Sequence, residues 1–209
     1  MNYTELKANI EDICENTFTA DQLAMFTQQA EQKIYNTVQI PALRKNVTGT
    51  LTINTKYLST PSDFLWSYSL AVVDAAGVYY FLLNKDVNFM REAYPNPAIT
   101  GLPKHYAYFD DDTFIVGPTP DAGYASELHY GYYPQSIVTA GTTWLGDEFD
   151  SALLNGALIE AIRFMKGEPD IVAMYEKMYL QAITLLKSLG DGKLREDAYR
   201  SGQFRIPVS

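Results

Sequence analysis

The apolar residues of this 209-residue chain change spacing twice, from helical to alternating and back to helical. That double change constrains the fold more than any single motif, because periods of 3.6 and of two residues belong to different elements. At the N-terminal end, Leu6, Ile10 and Ile13 share one stripe and predict a helix from Tyr3 to Cys14. A second helix begins after Thr19, with Gln22 three residues on in a capping-box pattern. It carries Leu23, Phe26, Ala30, Ile34 and Val38 on one face, and Pro41 stops it.

From Asn46 to about Pro134 the pattern alternates and is rich in Tyr, Phe, Val and Thr, which suit a pleated, half-buried surface. Strands are predicted around Val47–Ile53, Tyr68–Val73, Val78–Leu83, Lys104–Phe109, Phe114–Val116 and Glu127–Tyr133. Asp74-Ala75-Ala76-Gly77 and Asp110-Asp111-Asp112 read as hairpin turns. A short helix is expected over Asp86–Glu92, before Pro95.

Two strong helices follow. The first starts at Asp147 or Asp150 and reaches Lys166, with Leu154, Leu158, Ile162 and Met165 on one face. Gly167 stands where a C-cap glycine belongs and Pro169 at the next first turn. The second runs to about Leu189 and is expected to stop at Gly190-Asp191-Gly192. Its main stripe is Ile171, Met174, Tyr175, Met178, Ala182, Leu185 and Leu189, and Val172, Tyr179, Ile183 and Leu186 widen it. Ile159 and Phe164 likewise stand off the main stripe of the preceding helix. A helix on a monomer's surface needs one apolar face about 100° wide. Two readings fit the excess: Ile159, Phe164, Val172, Tyr179, Ile183 and Leu186 meet another subunit, or they meet the β-portion and the N-terminal helices.

These elements give an α+β fold: a bundle of N- and C-terminal helices (residues 1–45 and 146–190), a central antiparallel β-rich portion (46–145) and an extended C-terminal arm (191–209). The arm carries Lys193, Leu194, Arg195, Tyr199, Arg200, Phe204, Arg205, Ile206 and Val208. It has too little apolar area to fold alone and enough anchors to order on a partner. A frayed terminus is the alternative.

Composition narrows the function. A net charge of −9 disfavours gripping DNA phosphates and suits a wall past which DNA slides. No apolar stretch is long enough to span a bilayer, and no signal peptide is expected, so no membrane role is anticipated. The one cysteine, Cys14, cannot form an intrachain disulfide and reads as a small core residue. His105 and His129 fall inside predicted strands and outside any nucleophile motif, so no catalytic residue is assigned. Asp110-Asp111-Asp112 lacks the ligand spacing of a calcium loop, and neither a metal nor a cofactor is expected. The 16 tyrosines, with Tyr106, Tyr108, Tyr130, Tyr132 and Tyr133 in strands, fit either sheet packing or a surface for sugars or proteins.

A series of segments is shared with a known family: Lys85-Asp86 with Arg91-Glu92-Ala93-Tyr94-Pro95, then Thr100-Gly101-Leu102-Pro103-Lys104. Next come Phe114-Ile115-Val116-Gly117-Pro118-Thr119-Pro120, Glu127-Leu128-His129-Tyr130 and Thr143-Trp144-Leu145-Gly146. The helical pair Ala157 to Asp170 and Leu189-Gly190-Asp191-Gly192 complete it. Over nearly its whole length the chain resembles the head-to-tail adaptors of tailed bacteriophages related to tail tubular protein A.

The resemblance implies a structural protein of the virion, made in the host cytoplasm, at the head–tail junction. It implies a homo-oligomeric ring of twelve copies under the portal, with DNA passing through without sequence-specific contact. The helices would pack subunit against subunit, the β-portion would receive a tail nozzle or fibres, and the arm would grip the portal protein. It implies no catalysis. Other readings are a different head- or tail-completion protein and a glycan-binding tail component.

Overall fold

The computed structural model describes residues 1–194, with side chains as far as Asp191. The helices are α1 (Tyr3–Cys14), α2 (Ala20–Thr37), α3 (Val87–Ala93), α4 (Ile137–Ala140), α5 (Trp144–Glu148), α6 (Asp150–Phe164) and α7 (Pro169–Leu194). The strands are β1 (Arg44–Thr50), β2 (Tyr57–Ser59), β3 (Trp66–Val73), β4 (Tyr79–Phe81), β5 (Leu83–Asn84), β6 (His105–Asp110), β7 (Thr113–Gly117) and β8 (Ala125–Gly131). The fold is α+β, as the two changes of period require. The described chain forms two compact units, one of Met1–Pro41 with residues 134–194 and one of Ala42–Tyr133.

In the helical unit both early helices start on reciprocal caps. Asn2 accepts from the Glu5 N–H while the Glu5 carboxylate accepts from the Asn2 N–H, each at 2.9 Å. Thr19 and Gln22 do the same for α2, which satisfies amides that a helix start leaves without partners. The core is built from Leu6 and Ile10 of α1, Leu23, Phe26, Ala30 and Ile34 of α2, and Leu153, Ala157, Leu158, Ala161 and Ile162 of α6. Ile183 and Leu186 of α7 complete it. Each large aliphatic side chain buried this way contributes roughly 1.5–3 kcal/mol. Gly156 permits close packing of three helices: a Cβ there would stand 3.0 Å from the Ala30 Cβ and 3.3 Å from the Tyr179 ring.

Two short helices, α4 and α5, belong to this unit and have no counterpart among the sequence-predicted elements. Their caps are Ser136 and Thr143. The expected stop at Gly190-Asp191-Gly192 is also absent, since α7 runs through those residues to Leu194. Gly190 serves close approach instead, because a Cβ there would lie 2.7 Å from the Gln39 carbonyl oxygen and from Ile40.

In the β unit, one sheet has the order β1-β8-β3-β4 and the other β2-β7-β6-β5, antiparallel except for the parallel β5–β6 pair. The two sheets share a core of Leu51, Leu70, Val72, Leu82, Tyr106, Phe114, Val116, Leu128 and Tyr130. The far face of the second sheet, at Ala107 and Ile115, is covered by Met90 of α3. The core tyrosines keep their hydroxyls paired: Tyr106 with Ser67 Oγ at 2.8 Å, and Tyr130 donating to Asp63 at 2.8 Å. Buried phenols are tolerated on that condition.

Candidate assembly surface

The last helix carries two apolar stripes, and this chain covers one of them. Ala182, Ile183 and Leu186 are buried against the helical unit. Ile171, Met174, Met178, Leu185 and Leu189 fall on a second stripe and are each between 37% and 69% exposed. Ile171, Met174 and Met178 stand three and four residues apart, as neighbours on a helix surface do, and Leu185 and Leu189 continue the ridge two turns on, past the buried Ala182. Ile13 of α1 adds to the same surface, 44% exposed although its spacing from Leu6 and Ile10 had placed it with the core.

Of the six residues considered for a subunit interface, Ile159, Ile183 and Leu186 are buried inside the helical unit. Val172 and Tyr179 are half-buried. Phe164 is exposed on one side and packs its ring against Phe26 at 5.4 Å and Phe18 at 6.4 Å on the other. The six are therefore partly occupied by their own chain, and the uncovered apolar surface of α7 lies on the neighbouring stripe. Lys193 and Leu194 form the last residues of α7. Arg195, Tyr199, Arg200, Phe204, Arg205 and Ile206 lie outside the described residues.

Two depressions flank the α6–α7 pair. On one side a groove of about 470 Å³ is lined by Ile13, Leu154, Leu158, Met174, Tyr175 and Met178, with Asn9 and Asp150 on its polar rim. On the other side a cavity of about 220 Å³ is lined by Gly156, Ile159, Tyr179 and Leu180, with Lys33, Arg163 and Glu176 at its edge. Ion pairs Lys33–Glu160, Arg163–Glu160 and Arg163–Glu176 brace α2, α6 and α7 along that edge. Leu180 lies on this flank, 61% exposed. Sequence periodicity missed it, because it stands alone, away from both stripes.

The β unit exposes large residues on the β3–β4 hairpin, Val78, Tyr79, Tyr80 and Phe81, and at Leu83 of β5 in the other sheet. Tyr79 and Phe81 stack at 6.4 Å. On β3, Trp66 and Tyr68 are also exposed, the latter with Arg44 over its ring at 4.2 Å. β4, three residues long, is the outer strand of its sheet, a length that itself limits edge pairing. Of the strand tyrosines, Tyr106 and Tyr130 pack in the core, while Tyr79 and Tyr80 are exposed.

The residues weighed for chemistry sit in structural settings. Tyr94 and His105 Nδ1 share a hydrogen bond at 2.6 Å. Burial lowers the His105 pKa, helped by nearby Lys85 and Lys104. His129 packs on the Tyr68 ring at 5.0 Å. Cys14 is half-buried and burial raises its pKa, which disfavours the nucleophilic thiolate. Among the described residues no three His, Cys, Asp or Glu side chains cluster as metal ligands, and no helix is long and apolar enough to cross a membrane.

A helical unit with an uncovered apolar ridge, joined to a β unit with an aromatic edge, is a combination suited to assembly. The family model described as SU10 adaptor protein matches residues 1–206. The chain belongs to the SU10 adaptor protein family. Membership makes it a phage adaptor, a structural protein, and the match covers both units and the final helix. No curated protein matches the sequence. For an adaptor, the ridge, the two depressions and the hairpin are the features to interpret, because adaptors work by contact.

Proposed function

We propose that this SU10-family adaptor forms a ring between the portal and the tail of a bacteriophage, with DNA passing through its centre. The uncovered ridge of α7, Ile171, Met174, Met178, Leu185 and Leu189, is the observation that carries the reading. A contiguous apolar strip of that length marks an interaction surface on a soluble protein. The ridge and its flanks pack subunit against subunit. The acidic balance of the chain, −9, suits a passage that DNA crosses without being held.

The two other contacts have separate supports. The C-terminal segment from Lys193 onward alternates cations with Leu194, Tyr199, Phe204, Ile206 and Val208, a composition suited to ordering on the portal protein. The exposed hairpin residues Tyr79, Tyr80 and Phe81 offer the tail nozzle or fibres an aromatic edge.

Removing residues 193–209 tests the portal contact. The truncated chain is expected to keep its circular dichroism spectrum and lose binding to the portal ring; retention of full affinity refutes the assignment. Electron microscopy of particles made without the chain tests the role itself. DNA-filled heads lacking tails are expected, whereas tailed particles with leaking heads contradict it.

A further inference from the structure

A further depression lies in the β unit, between α3 and the second sheet, with Lys56, Met90, Arg91, Tyr94, Ile115 and Thr119 in its wall. Lys56 and Arg91 bring two positive charges to it, and no Asp or Glu belongs to the wall. The side-chain ion pairs among the described residues use other cations, Lys33, Lys45 and Arg163. Lys56 stands over the Tyr57 ring at 5.4 Å, a contact that satisfies no N–H donor.

The rest of the wall is fixed by packing. Met90 is 2% and Thr119 5% exposed. The Tyr94 ring fills the space that a Cβ on Gly117 would need, and its hydroxyl shares a hydrogen bond with His105 Nδ1 at 2.6 Å. Burial, and then the nearby charges of Lys85 and Lys104, hold the His105 pKa down. The acid that starts α3, Asp86, is committed to its cap, accepting from the Phe89 N–H at 2.8 Å. The β unit as a whole has six Lys and Arg against nine Asp and Glu. Four of those six cations, Lys56, Lys85, Arg91 and Lys104, gather where β6 starts and β7 ends.

We propose that this pocket is a carboxylate site, and that it takes an acidic side chain or the C-terminal carboxylate of a tail protein. This rests on the reading that the β unit meets the tail, and it names the chemistry of that contact. The planar fork of an arginine offers a carboxylate two parallel N–H donors, and a lysine adds a compact charge. The pocket volume is about 200 Å³. Pockets that enclose a drug-sized ligand run to roughly 300–1,000 Å³, so this one suits a single side chain, with Met90 and Ile115 as apolar walls for its stem. A DNA strand is the poorer match. Gripping a phosphate backbone takes many cations spread along it, whereas here the cations are confined to one spot of an acidic unit.

Two measurements on the full chain test the site. In the first, glutarate, a dicarboxylate with the reach of a glutamate side chain, is titrated into protein isotope-labelled at its methionine methyls and followed by nuclear magnetic resonance. The Met90 methyl, assigned with Met90→Leu, is expected to shift saturably in the wild type and to stay still in the double variant Lys56→Gln, Arg91→Gln. Lys56→Arg keeps the charge and is expected to keep the shift, which separates a lost charge from a lost fold. A Met90 signal that ignores glutarate, or that moves equally in the double variant, overturns the site. Inorganic phosphate that moves Met90 at lower concentration than glutarate overturns the choice of a carboxylate.

The second measurement is binding of the chain to the nozzle and fibre proteins of its phage, read by sedimentation. The double variant is expected to bind one of them about tenfold more weakly than the wild type, or worse. Unchanged affinity for both, with the glutarate shift intact in the wild type, makes the ligand a free anion. That overturns the tail contact at this pocket and leaves the tail-facing reading of the β unit standing. A wild-type chain that binds neither protein removes both.

Discussion

Glu31 of α2 accepts a hydrogen bond from the backbone N–H of Ile137 at 2.8 Å, tying the start of α4 to the core of the helical unit. The carboxylate is 3% exposed, and burial holds its pKa above the usual carboxylate value, against the opposing hydrogen bonds from Ile137 and Ser136. Glu31→Ala removes the acceptor and leaves a buried amide unpaired. It is expected to lower stability by about 1–3 kcal/mol, read from urea unfolding. Glu31→Gln keeps an acceptor oxygen and removes the charge.

The pH dependence of that pair follows from the raised pKa. A group that binds its proton more tightly when folded stabilises the protein fully below its unfolded pKa, and that contribution is lost as pH rises through the folded pKa. The stability of Glu31→Gln relative to the wild type should therefore climb as pH rises from the ordinary carboxylate range through the raised Glu31 value, and then level off. A flat difference across pH 4–8 would show that the carboxylate is not destabilised by burial.

Asp63 gives the opposite sign in the β unit. It accepts from the Lys45 ammonium at 2.6 Å and from the Tyr130 hydroxyl at 2.8 Å. The Lys45 bond is the main cause that holds its carboxyl below the usual aspartate value. Its contribution is present above the unfolded pKa and disappears as pH falls through the depressed folded one. Wild type should lose its advantage over Asp63→Asn on acidification, when both are unfolded by urea at stepped pH. Tyr130, pushed up to about 12 by burial and then by Asp63, is expected to titrate earlier in Asp63→Asn. Absorbance of the tyrosinate band reads that change.

How far the sequence reaches is visible in particular residues. Caps at Thr19–Gln22 and the strand-forming run Tyr68–Val73 are local facts, and α2 and β3 form there, β3 starting two residues earlier at Trp66. The sheet order β1-β8-β3-β4 is not local, because it joins Arg44 in register to Gly131, far along the chain. The helices α4 and α5, four and five residues long, are too short to show a period at all. The breadth of the α7 apolar surface is legible in its spacing. Which stripe the chain itself covers depends on where α6 lies, so Ile183 and Leu186 turn inward while Met178 and Leu185 stay exposed. The cap-like Gly190-Asp191-Gly192 misleads because glycine also marks close approach.

The exposed ridge separates folding from assembly. Met178→Glu changes a residue 44% exposed in the single chain, so its effect on stability should stay within about 0.5 kcal/mol. The same charge would have to be buried in any contact made by the groove. Sedimentation or electron microscopy should then show loss of rings with an unchanged unfolding midpoint. A variant that unfolds early would place Met178 in the core, contrary to its exposure.

Gly190 distinguishes a helix stop from a helix contact. In an open helix interior, glycine to alanine stabilises by about 1 kcal/mol, because glycine is the more flexible residue when unfolded. Here a Cβ would stand 2.7 Å from the Gln39 carbonyl oxygen, a backbone atom that cannot swing aside, and equally close to Ile40. Overpacking of this kind typically costs about 1–3 kcal/mol. Gly190→Ala should therefore destabilise the helical unit, and Gly190→Val, with its branched side chain, should do so more. Thermal unfolding of the two variants beside the wild type compares them. If Gly190→Ala instead raises the midpoint, the end of α7 does not press on the segment after α2.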